Sequence, residues 1–190
     1  MTYVVIGCGV ALALVFGTSW QAKVGARRYR DFATSAGPLD VLPRPLRSAA
    51  AWLVVVVEGV LAVALLVVVV TTFGGVVVFA GTALLLLAFT LAIGVSLRRG
   101  DRRPCQCFGA GVTPLGRGQV IRNLVLLVFA FAGLVGSADQ AGGARDVAPA
   151  GALIASVAGL VAGLLITRFE DLVDLFSSPG VSDGLRRVPR

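Results

Sequence analysis

Five long apolar runs alternate with short polar connections along the 190-residue chain. They cover residues 3–22, about 49–70, about 76–97, about 118–137 and about 150–167. At 1.5 Å per residue, about 20 helical residues cross about 30 Å of hydrocarbon, so each run predicts a transmembrane helix. The second run is dominated by valine, a poor helix former in water. In lipid the backbone has to satisfy its own hydrogen bonds, so helix prevails there. Thr71 to Gly75 reads as an uncharged tight turn between the second and third runs. The fifth run is rich in Gly and Ala, which suits close helix contact. The expected class is an all-α integral membrane protein, a four-helix bundle with a fifth, C-terminal transmembrane helix.

The connections carry the charge. Lys23, Arg27, Arg28, Arg30, Arg44 and Arg47 follow the first run, where Gly37-Pro38 and Pro43-Arg44-Pro45 are read as breaks. The stretch between suits an interfacial helix. Met1 to Gly7 has no charged side chain, unlike the basic start of a signal peptide, so the first run reads as an uncleaved span. The connections after runs one, three and five hold six, five and four Lys or Arg, against none and one after runs two and four. The positive-inside rule then predicts the N-terminus outside and the C-terminus in the cytoplasm. The expected location is the inner (plasma) membrane. The mixed-charge tail from Arg168 reads as frayed or partly disordered.

Composition narrows the function. The chain is 57% hydrophobic and 14% charged, with a mean hydropathy of +0.91. A net charge of +7 would point to nucleic acid in a soluble protein. Here the arginines sit in short loops between spans, so they read as topology determinants, with no nucleic-acid partner expected. The chain has three cysteines and no histidine. That excludes catalytic motifs built on histidine and leaves too few ligands for a self-contained structural zinc site, so no metal is expected.

The richest polar loop follows the third run. Arg98, Arg99, Arg102 and Arg103 lead through Pro104 into Cys105-Gln106-Cys107-Phe108-Gly109. A backbone turn can bring two cysteines at this spacing within disulfide range. The small ring would be strained, and strained exposed disulfides are the oxidising or labile kind. Neighbouring arginines, Arg103 nearest, favour the thiolate that exchange needs. Two other readings stay open: incidental loop cysteines beside a positive-inside cluster, or half of a metal site completed by another subunit. Cys8, alone in the first span, reads as a small apolar filler.

Glu58 is the one carboxylate well inside a span. A lone carboxylate in hydrocarbon is costly, so it is expected to be protonated, paired or turned to a polar interior. Lys23 and Arg122, near the inner ends of spans one and four, are the candidate partners, and Asn123 could add hydrogen bonds. Lys23 also reads as a snorkelling anchor. A structural pair and a proton-handling role for Glu58 both remain open.

Together these residues resemble a known family. The first helix ending at Trp20-Gln21-Ala22-Lys23, Glu58 in the second, the Cys105-x-Cys107-Phe108-Gly109 loop and Arg122-Asn123 opening the fourth are similar to the MauE family. That family is the methylamine-utilisation membrane proteins, related to the DoxX-like four-helix proteins. The resemblance covers roughly residues 3–138, and its most specific part is the C-x-C-F-G loop. It implies a DoxX-like bundle in residues 1–138; the outer loop and fifth helix in 139–167 and the cytoplasmic tail in 168–190 lie beyond it and rest on the hydropathy and charge pattern alone. By the same resemblance, the dithiol of Cys105 and Cys107 would serve maturation of a disulfide-containing exported or membrane client, alongside a thioredoxin-like partner. Lys23, Glu58, Arg103, Phe108, Gly109, Arg122 and Asn123 would support it. No cofactor is required, although a quinone stays open as a membrane carrier. Two other classes compete: an accessory subunit of a larger membrane complex, and a small transporter with Glu58 on its pathway. Sequence assigns neither the client, the electron donor nor the oligomeric state.

Overall fold

The computed structural model describes residues 1–25, 44–71, 73–98, 117–139 and 147–168. They form five helices: α1 (Thr2–Lys23), α2 (Arg44–Thr71), α3 (Gly75–Arg98), α4 (Arg117–Asp139) and α5 (Pro149–Thr167). All five are long and apolar enough to cross a membrane, and there is no strand among the described residues. The one marked departure from the expected spans is at the start of α2. Pro43-Arg44-Pro45 is read from sequence as a break, yet the helix already begins at Arg44. Proline fits a first helical turn, where its missing N–H would have had no partner. The expected interfacial helix falls outside the described residues.

The bundle is inverted relative to a soluble protein. Its outer surface is Val, Leu and Ile, as at Val63, Val77, Leu84, Val128 and Ile154, while Lys23, Glu58, Arg122 and Asn123 are inside. Such an apolar exterior requires lipid as its solvent.

Helix α1 lies at the centre, packed against α2, α4 and α5, while α3 packs chiefly on α4. Within α1, 56% of the spanning window is enclosed, against 11% in α5. Leu12 and Phe16 of α1 meet Leu65 of α2, Phe79 and Leu86 of α3 and Leu126 of α4 in the apolar core. Particular contacts fix the directions. Gly9 lies against Val69 and Lys23 against Glu58, so α1 and α2 are antiparallel. Gly75 meets Ser137 and Gly133 meets Phe79, so α3 and α4 are antiparallel as well. Tyr3 meets Gly151, Gly7 meets Gly159 and Ala11 meets Gly163, so α5 runs parallel to α1. The chain therefore goes up, down, up, down and up. The ends of α1, α3 and α5 share one end of the bundle with the starts of α2 and α4.

Two glycines make this geometry possible. Gly74 adopts φ +72° in the turn between α2 and α3, a left-handed conformation most side chains avoid. Gly159 lets α5 approach the α1 backbone so closely that a Cβ there would overlap the Gly7 carbonyl. Close backbone approach through small residues is how helices associate where lipid supplies no hydrophobic drive.

Candidate functional site

The four helices of the bundle converge on a polar cluster near the end where α1 stops. Ser19 and Lys23 are one turn apart on α1 and both turn inward. Ala51, Glu58 and Leu65 are spaced by seven on α2, which puts Glu58 on that helix's buried stripe. The Lys23 ammonium donates to Glu58 Oε1 at 2.5 Å, to Oε2 at 2.7 Å and to Ser19 Oγ at 3.0 Å. The Ser19 hydroxyl in turn donates to the same carboxylate at 3.3–3.4 Å. An ammonium has three protons, so this arrangement engages each of them. Phe89 of α3 places its ring 5.9 Å from Lys23 Nζ, within cation–π range.

The pair is enclosed: Lys23 is 1% exposed and Glu58 0%. Of the two readings of Lys23, the structure therefore shows the inward pair and not the snorkelling anchor. Attraction between the two charges, strengthened in a poorly polar interior, offsets the loss of hydration. Arg122 at the start of α4 is also buried. Asn123 beside it is fully enclosed. Lys23, Glu58, Arg122 and Asn123, scattered over three helices in sequence, thus come to one end of the fold.

Sequence reading missed three members of this neighbourhood: Ser19, Phe89 and Gln119, the last buried one turn before Asn123. Spacing of four from Lys23 and from Asn123 could have found the first and the third. A stronger signal is composition by residue type. Lys23 is the only lysine in the chain and Asn123 the only asparagine.

Arg103, Cys105, Cys107, Phe108 and Gly109 lie outside the described residues. Their loop leaves from Arg98, at the end of α3, and returns at Arg117, the start of α4. Both attachment points are at the end of the bundle that holds the Lys23–Glu58 pair. Cys8 is a free thiol buried in the apolar core. It lies fifteen residues from Lys23, about 22 Å along the helix, toward the opposite end.

Fold and site define a class: a small multi-pass helical membrane protein with a charged pair sealed inside its bundle. A family model described as methylamine utilisation protein MauE matches residues 1–136, and the chain belongs to the MauE family. The match takes in α1 to α3 and nearly all of α4, and α5 lies beyond it. No curated protein and no solved structure matches the chain.

Proposed function

We propose that this protein is a membrane thiol–disulfide exchange protein working through Cys105 and Cys107. The observation that carries the reading is the placement of the Cys-x-Cys loop. It is anchored by Arg98 and Arg117 at the bundle end that holds Lys23, Glu58, Arg122 and Asn123. A bundle end held by internal pairing is a firm base from which to present a reactive loop.

The exchange is balanced without an added oxidant. One cysteine thiolate attacks a sulfur of a partner disulfide, and the partner's other sulfur leaves as a thiolate. The second cysteine then attacks the mixed disulfide, leaving Cys105–Cys107 oxidised and the partner reduced. The reverse sequence oxidises a client. A thioredoxin-like protein supplies the partner disulfide chemistry, and a quinone is an alternative electron carrier. The client is an exported or membrane protein that matures by forming disulfides. The four-helix unit, residues 1–138, carries the activity, with α5 appended and residues 168–190 as a tail. The N-terminus is outside and the cysteine loop is at the cytoplasmic face of the inner membrane.

Counting alkylated thiols by mass spectrometry across a redox titration tests this. Cys105 and Cys107 are expected to leave the alkylatable pool together, with Cys8 unchanged. If both stay fully alkylatable in strongly oxidising buffer, the exchange reading is wrong and an accessory, non-redox role takes its place.

A further inference from the structure

A groove of about 930 Å³ runs between α1 and α2. Gln21, Trp20, Gly17 and Ala13 of α1 form one wall, and residues between Val56 and Val68 of α2 form the other. Away from the loop end it reaches Phe73 and Gly74, in the turn after α2. Val56 and Phe73 are seventeen residues apart, about 25 Å of helix, so the groove spans most of the hydrocarbon. Val60, Val63 and Val67 of its lining are 49–62% exposed, so it opens sideways to lipid.

The lining is polar at one end only. Its polar side chains are Trp20 and Gln21, and both lie at the bundle end that holds Lys23 and Glu58. None of the lining side chains is charged. Gly59 admits the Trp20 ring, since a Cβ there would come within 2.8 Å of the indole nitrogen. An indole offers a flat apolar face and one N–H, which donates and does not accept. The matching ligand has a long apolar chain and an uncharged, flat head that carries an acceptor oxygen. A phospholipid phosphate meets no cation in this lining. A helix of the same length, about 10 Å across, has a volume of about 2,000 Å³ and is too large for the groove.

We propose that the groove between α1 and α2 binds an isoprenoid quinone, its ring at Trp20 and its tail along α2 toward Phe73. The ring packs on the indole and a ring carbonyl accepts from the indole N–H. The volume falls within the range of small-molecule sites, about 300–1,000 Å³, as does the pairing of apolar walls with a few polar groups. Entry is from the bilayer, where such a molecule is dissolved. One consequence rests on the thiol-exchange reading. Two cysteine thiols lose two protons and two electrons and close an S–S bond, and the quinone takes up both pairs and becomes the quinol.

Binding is measured on a chain with Cys105→Ser and Cys107→Ser, so the site is tested apart from exchange. Trp52→Phe in the same chain leaves Trp20 as the only tryptophan. In phosphatidylcholine nanodiscs, menaquinone-4 is expected to quench Trp20 fluorescence saturably, at one quinone per protein. Geranylgeraniol, an isoprenoid chain without the ring, is expected to compete at least tenfold more weakly. Equal competition would mean that only a chain is held, and a linear, unsaturated quench would mean collision in the bilayer; either overturns the proposal. A Cβ added at Gly17 enters open space, so Gly17→Leu takes up groove volume. It is expected to weaken binding at least tenfold, as is Val63→Phe on the opposite wall. Ile154→Phe, exposed on α5 away from the groove, should bind as the parent does. Unchanged binding in folded Gly17→Leu and Val63→Phe would refute the site. Saturable binding beside cysteines that stay alkylatable would keep the site and remove the exchange reading. Redox-active cysteines without saturable binding would do the reverse.

Discussion

Lys23 and Glu58 stand thirty-five positions apart in the chain, on different helices, and hold both carboxylate oxygens against one ammonium inside the bundle. Ser19 closes the triangle. Within hydrocarbon neither charge has another solvent, so each is the condition for burying the other.

Removing one member therefore strands its partner. Glu58→Ala is expected to destabilise the protein by about 3–5 kcal/mol, the usual loss when one half of a buried pair is deleted. Replacing both, as Lys23→Met with Glu58→Leu, is expected to leave stability unchanged or raise it by about 1–4 kcal/mol. Thermal unfolding in detergent checks both. A double variant as unstable as the single one would mean that the pair contributes more than mutual compensation.

Enclosure of Lys23 has a chemical consequence. In folded protein in bilayers, an amine-reactive succinimidyl ester is expected to label only the N-terminus. Lys23, the only lysine, should react after denaturation in dodecyl sulfate. Peptide mapping of the label gives the answer. Fast labelling of Lys23 before denaturation would mean that the pair opens readily.

The contact between α5 and α1 is expected to be intolerant of side chains. Gly159→Leu drives new atoms into the Gly7 backbone, which cannot rotate away as a flexible side chain could. Overpacking of this kind costs about 1–3 kcal/mol. A lower melting temperature, together with faster proteolysis after α4, is the expected signature. A Cβ added at Gly17 meets nothing within 4 Å, so Gly17→Ala serves as the control with little effect.

Cysteine substitutions should separate by position. Cys105→Ser and Cys107→Ser are expected to change unfolding by less than about 0.5 kcal/mol, as surface changes do, while abolishing exchange with a partner. Cys8→Leu forces a larger side chain into the packed core and should destabilise by about 1–3 kcal/mol with exchange intact. Melting curves and thiol counting on the same samples distinguish the two effects.

The loop charges predict a membrane orientation that fusions can check. A green fluorescent protein fused to the C-terminus is expected to fluoresce, and alkaline phosphatase fused there to be inactive. Active phosphatase would reverse the topology.

Much of the fold is legible in the sequence because hydrocarbon thickness sets helix length. All five spans are readable to within a few residues, except where Arg44-Pro45 opens α2 instead of preceding it. What sequence does not reveal is which helix sits in the middle. Helix α1 is apolar on every side, so its pattern points nowhere, and its central position becomes visible only when α2, α4 and α5 are seen around it. Helix α2 is nearly as uninformative, a valine run in which Glu58 alone marks the inner face. The cost of a buried carboxylate is enough to predict a partner for Glu58, but three side chains are chemically able to serve. Only the antiparallel register of α1 and α2 selects Lys23. Ser19 is easily passed over for a different reason: a serine in an apolar helix ordinarily satisfies itself on its own backbone, and only its spacing of four from Lys23 marks it.

Among the five described helices the central one is made before the others, and α5, which lies along it, is made after them. Until Pro149 to Thr167 has been synthesised and inserted, the Gly7 and Ala11 face of α1 has to be covered by lipid. Assembly is thus closed by a late arrival at the earliest element, and a chain interrupted after α4 would carry an open seam along its spine. Such a seam, with backbone within reach of any small-faced helix nearby, sets a window during biogenesis in which the nascent protein is open to the wrong neighbour.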